Sequence, residues 1–126
     1  MLIRNILEES VRKFDEVKAV KWLKKKEIME RSYGELMENV VSTRKGLLAE
    51  GFEGKHIALI GTSSVEWMES YLGIITGCTT AVPLDAALPC EDLIDLLNRS
   101  DSAALFLSPK LKPYLDAFLE NCPKLQ

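Results

Sequence analysis

The chain has 126 residues, enough for one domain that buries roughly two thirds of its unfolded surface. With 47% hydrophobic and 28% charged residues, and Gly and Pro dispersed, disordered and collagen-like classes are excluded. A net charge of -3 from 16 basic and 19 acidic residues offers no electrostatic footprint for nucleic acid or an anionic lipid surface.

The N-terminus reaches Glu8 and Glu9 before any apolar run long enough for a signal peptide, and no stretch approaches a membrane span. These features predict a soluble, cytoplasmic globular protein. Cys78, Cys90 and Cys122 are odd in number and widely spaced, which suits neither a disulfide framework nor a metal knuckle. They read as small buried or half-buried apolar residues in a reducing compartment.

Ile3, Ile6, Leu7, Val11 and Phe14 recur at helical spacing, so an amphipathic helix over residues 2–14 should lay one stripe on the body. Ala19 to Leu23 and Ile28 to Arg31 flank Lys24-Lys25-Lys26-Glu27, the pattern of a hairpin with a charged, solvated turn. Ser32-x-x-Glu35 is a capping box that starts a helix running to about Glu50, with Leu36, Val40, Val41, Leu47 and Leu48 inward. Gly51 supplies the positive φ of its C-terminus.

Ile57 to Ile60 is a continuous apolar run, as in a strand covered on both faces of a parallel sheet. Ser63-x-x-Glu66 predicts a second capping box, opening a helix to about Thr76 that is buried around most of its circumference. Thr79 to Val82 is the next strand. Pro83 and Pro89 bracket a loop, and Pro89 reads as a first-turn proline for a helix carrying Leu93, Ile94, Leu96 and Leu97. Ala103 to Leu107 is a third apolar run, and a last helix should start near Pro113, since a proline inside a helix begun at Pro109 would cost about 3 kcal/mol. The alternation predicts a parallel β-α-β sheet unit flanked by helices, preceded by an N-terminal helix and hairpin.

Several of these pieces together resemble a known family. Ser32, Tyr33, Glu35 and Leu36 open the second helix, Gly54 precedes the first core strand, and Thr62, Ser63 and Glu66 follow it. Gly73, Gly77, Val82-Pro83-Leu84, Glu91 and Leu93 complete the order. The chain is similar to the opening of the adenylate-forming superfamily, which contains acyl-CoA synthetases, peptide-synthetase adenylation domains and luciferases. It departs at Lys55, where relatives carry aspartate, at Ile57, where they carry valine, and at Thr62, where they often carry asparagine.

The resemblance implies that residues 1–126 are the first subdomain of an acyl-CoA-synthetase-like fold. The parent would activate a carboxylic acid with ATP and Mg to an acyl-adenylate and usually pass the acyl group to CoA or another thiol. The family's Ser/Thr/Gly-rich phosphate loop, ribose aspartate and adenylation lysine have no counterpart here, since Ser108-Pro109-Lys110 lacks the glycines whose bare backbone could approach phosphates. The fragment is therefore expected to be inactive, with no catalytic residue, no metal ligand and no assignable cofactor-binding residue. Its partners would be the rest of the parent chain and, through apolar surface left by truncation, a second copy of itself.

Residues with a chemical reading also have a plainer one. Gly61-Thr62-Ser63-Ser64 between a strand and a helix could hold a phosphate, but without a glycine-rich fingerprint the capping role accounts for Ser63. His56 has no nucleophile motif nearby and reads as a surface or strand-edge residue. Glu91, Asp92 and Asp95 read as a solvated helix face with favourable N-terminal charge, and Trp22 and Trp67 as core packing. An amino-acid adenylation domain is the alternative within the family. Outside it stands an independent α/β binding module, such as a receiver, which would need acidic residues where Gly61-Thr62-Ser63 stand.

Overall fold

A computed structural model describes residues 2–126. Helix α1 (Ile3–Phe14) leads into a hairpin of β1 (Lys18–Lys24) and β2 (Glu27–Ser32), followed by α2 (Tyr33–Ala49). Then come β3 (His56–Ile60), α3 (Val65–Ile75), β4 (Thr80–Leu84), α4 (Cys90–Arg99) and β5 (Ser102–Leu107). A 3₁₀ segment (Pro109–Tyr114) and α5 (Leu115–Asn121) close the order.

β3, β4 and β5 form a parallel sheet in the order β4-β3-β5, as the three apolar runs predict. Successive side chains of a strand point to opposite faces. Ile57 accordingly packs with Leu47 of α2 and Ile74 of α3 on one side, while Ala58 and Ile60 pack with Leu93, Leu97, Phe118 and Cys122 on the other. Each buried isoleucine or leucine contributes about 1.5–3 kcal/mol of transfer free energy. α2 and α3 approach closely at Gly73, where a Cβ would lie 2.5 Å from Thr43 Cβ.

The hairpin turn is confined to Lys25 and Lys26, both at positive φ (48° and 69°), which fits a two-residue type I′ connection. The Ser32–Glu35 capping box forms with both bonds present, and Gly51 takes φ 82°.

Several expectations need correction. Helix α3 is capped by Ser64, whose Oγ accepts from Trp67 N at 3.0 Å, and Ser63 lies one residue outside the cap. Two adjacent serines gave the spacing two possible registers, and the Val65-first register places Val65, Glu69, Gly73 and Ile74 inward. The inner face of α2 follows Leu36, Val40 and Leu47, so Leu48 turns outward and is 56% exposed. Pro83 lies inside β4 opposite Leu59, tolerated because β4 is an edge strand that can lack an outward amide. Pro89 is the N-cap of α4, one position earlier than a first-turn proline.

The 3₁₀ segment starts at Pro109 and contains Pro113. A short 3₁₀ run has no i to i−4 ladder for Pro113 to break, so the segment survives it and α5 begins two residues later. The stripe of α1 is only partly covered, with Ile3 and Phe14 about half exposed and Leu7 and Val11 half-buried. Trp22 is half-buried in the hairpin with the Arg31 guanidinium 5.4 Å over its ring, and so does not enter either core cluster. Cys78 is exposed, Cys90 half-buried and Cys122 buried.

No sequence signal announced Glu69, which is 5% exposed on α3. Its Oε2 accepts from Asn39 Nδ2 at 2.5 Å and lies 3.5 Å from Arg31 Nε, tying β2 and α2 to the sheet unit. Burial raises its pKa above the usual 4.5 despite Asn39 and Arg31, with Glu66 adding to the rise.

Two outcomes follow from these contacts. Ser64→Ala should cost about 1 kcal/mol by removing the cap, and Ser63→Ala should stay within about 0.5 kcal/mol, measured by urea denaturation. Glu69 holds its proton more tightly folded than unfolded, so its contribution to stability is present below pH 4.5 and falls as pH rises through its raised folded value. Glu69→Gln keeps the acceptor without the charge. Its stability relative to the wild type should therefore increase with pH, and a constant or decreasing difference in paired melts would contradict the buried carboxylate.

Candidate functional site

After β3 the chain leaves into α3 on one face of the sheet, and after β5 it leaves into α5 on the other. Between the carboxyl ends of these adjacent parallel strands lies the topological switch point, the place where open α/β sheets hold ligands. A cleft of about 450 Å³ opens there. Its base is made by Leu59 and Ile60 of β3 and by Phe106 and Leu107 of β5, and its rim by Gly61, Thr62, Ser64 and Ser108.

Local packing explains why glycine follows the strand. Ser108 N donates to Ile60 O at 2.9 Å, drawing the two strand ends together. A Cβ on Gly61 would then sit 3.2 Å from Ser108 Cβ and 3.5 Å from Trp67 Cδ1. Trp67 is half-buried on the cleft wall, where core packing was expected, and Tyr71 stacks on it at 5.2 Å with the rings 12° apart. The tryptophan was visible in the sequence, but its position on a wall became legible only with the register of α3.

The remaining candidates do not converge on this cleft. His56 stands at the opposite, amino end of β3, exposed, with Nδ1 2.6 Å from Ser100 O, as a strand-edge reading expects. Next to it Asp101 pairs with Lys124, whose hydrogen bond and charge lower the Asp101 pKa. Glu91 and Asp92 lie exposed in the first turn of α4, and Asp95 pairs with Arg99 at 3.0 Å. Burial raises the Cys122 thiol pKa, which makes it a poor nucleophile.

Chemically, the cleft suits a small molecule held by shape and hydroxyl contacts. Glu66 is its one charged lining side chain, and the Ser64 hydroxyl is already engaged by the Trp67 amide. No lysine, arginine or histidine faces it to balance a phosphate. Among the described residues no group of three or more His, Cys, Asp and Glu is placed to hold a metal ion, and no helix is long and apolar enough to cross a membrane.

The fold is similar to that of several solved structures at low sequence identity. The anthranilate CoA ligase AuaEII in complex with anthranoyl-AMP matches with a TM-score of 0.86 and 19% identity, over 99% of this chain and 24% of that one. The N-terminal domain of FACL13 from Mycobacterium tuberculosis matches with a TM-score of 0.88 and 18% identity, over 100% of this chain and 33% of that one. The A-PCP didomain of the carboxylic acid reductase from Segniliparus rugosus, in complex with AMP, gives 0.84 and 16%, over 100% and 20%. The chain thus spans between a fifth and a third of the length of these neighbours. No curated protein matches the sequence. The model of one family, the AMP-binding enzymes, matches residues 7–125, nearly the whole chain, on the three-strand parallel unit described above; this protein belongs to that family.

Proposed function

We propose that this chain is the N-terminal part of an ATP-dependent acid–thiol ligase, and that fatty or aryl acids activated for transfer to CoA are the substrate class. The observation that carries the reading is the family match over residues 7–125, joined to a fold similar to fatty acyl and aryl CoA ligases. In the parent, a carboxylate oxygen attacks the α-phosphorus of ATP and pyrophosphate leaves. A thiol then attacks the acyl carbon and AMP leaves.

The role of residues 1–126 in this reading is to build the first α/β layer of the enzyme. The residues of the cleft do not fit a polyphosphate, because Glu66 faces it and no cation does, and one carboxylate is a thin ligand set for its Mg. ATP, Mg and CoA therefore belong to later parts of the parent. Three free cysteines fit a reducing compartment, and we place the parent in the cytosol.

The same reading makes the exposed apolar side chains of α1 and the hairpin, such as Ile3, Phe14, Leu23 and Ile28, surface that the rest of the parent covers. The isolated chain should self-associate through it. Light scattering across a concentration series should show a rising mass that Leu23→Lys with Ile28→Lys lowers, and a concentration-independent monomer would count against that cover.

Positioning and charge stabilisation make up most of adenylate chemistry, so a chain without those groups should be inert. Calorimetry with ATP and Mg should show no binding, and pyrophosphate exchange with short, long and aromatic acids should stay at background. Micromolar ATP binding or measurable exchange by the isolated chain would overturn the assignment of a scaffold role.

A further inference from the structure

The cleft at the switch point has a composition that selects its ligand. Trp67 presents one wall, held in place by the parallel stack of Tyr71, which does not itself line the cleft. Phe106 adds apolar lining from β5, and Leu59 and Ile60 contribute from β3. Apolar side chains therefore bound the interior, and its polar groups are the hydroxyls of Thr62, Ser64, Ser70 and Ser108 with the Glu66 carboxylate. Its volume of about 450 Å³ lies within the range of small-molecule sites, about 300–1,000 Å³.

Charge decides between ligand classes of equal size. With exposed Glu66 the one charged lining group, an anion entering the cleft meets a like charge that opposes the pull of the α3 N-terminus, and it finds no cation. A neutral ring keeps the stacking energy of the tryptophan face and can donate N–H or O–H to the hydroxyl and carboxylate oxygens. A saturated ring of the same size forgoes the offset stacking.

We propose that this cleft binds an uncharged aromatic ring bearing hydrogen-bond donors, and that Glu66 excludes the anionic counterpart. The site holds such a ring whether or not the parent forms acyl-adenylates, since every group it uses lies within this chain. The face of the ring lies against Trp67, and its amide or hydroxyl hydrogens point toward the rim.

Benzamide and benzoate test the proposal, because they share one shape and differ in charge. In a Trp22→Phe background Trp67 is the sole indole, so its quenching reports the cleft, and amide chemical shifts at Gly61, Ser70 and Phe106 locate the ligand. Saturable quenching by benzamide is expected, with benzoate and cyclohexanecarboxamide each about tenfold weaker. Glu66→Gln should bring benzoate to within about twofold of benzamide, and Glu66→Ser gives the same comparison if the glutamine variant fails to fold. Benzoate binding as tightly as benzamide, an unchanged ratio in the Glu66 variants, shifts confined to residues outside the cleft, or no saturable signal would each overturn the site.

Discussion

The double-sided burial of β3 is the constraint on which the rest depends. A strand covered on both faces must be apolar at every position, and Ile57, Ala58, Leu59 and Ile60 are at most 3% exposed. One face then demands α2 and α3, the other α4 and α5, and a pair of parallel neighbours must reach β3 by crossovers on opposite sides. The cleft is a geometric product of that winding. Where β3 and β5 send their chains to opposite faces, no helix fills the space above the strand ends, and Gly61 and Trp67 line what remains.

Polar contacts set what lies outside that core. The Ser32–Glu35 box fixes where the hairpin ends and α2 begins, and the hydrogen bonds to the Glu35 carboxylate lower its pKa. Arg31 then reaches from β2 to Glu69 on α3 while covering Trp22. The hairpin is joined to the sheet unit through this buried carboxylate and α2, which leaves the Leu23 and Ile28 side at 70% and 72% exposure.

Legibility in the sequence followed the length of the pattern. Four consecutive apolar residues in β3, with capped helices on either side, announced a parallel unit without ambiguity. Decisions that rest on one residue were harder to read. Ser63 and Ser64 both satisfy a helix start, and only packing of Val65 and Ile74 selects between them. Pro83 reads as a loop until the strand is known to be an edge, and Leu48 reads as core until the register of Leu36, Val40 and Leu47 is fixed. Glu69 is the instructive miss: a glutamate in an amphipathic pattern signals solvent, and its burial depends on Asn39 and Arg31, which lie 30 and more residues away in the chain. The cleft was barely legible, since its Gly-Thr-Ser-Ser rim reads first as a helix cap and only second as a phosphate turn, while its aromatic wall and neighbouring strand end come from tertiary structure.

Function divides along the same line. The family is carried by the spaced motifs of the fold, whereas the groups that perform adenylation lie in none of them. On the reading proposed above this chain serves as a frame, and the geometry of its sheet unit is set by one strand. Native-state hydrogen exchange of the 126-residue chain tests that dependence most directly. The amides of Ala58, Leu59 and Ile60 should exchange only through global unfolding and rank as the most protected, with the hairpin and α1 opening at lower free energy. Hairpin or α1 amides protected as strongly as β3, or β3 amides exchanging through local opening, would contradict the account.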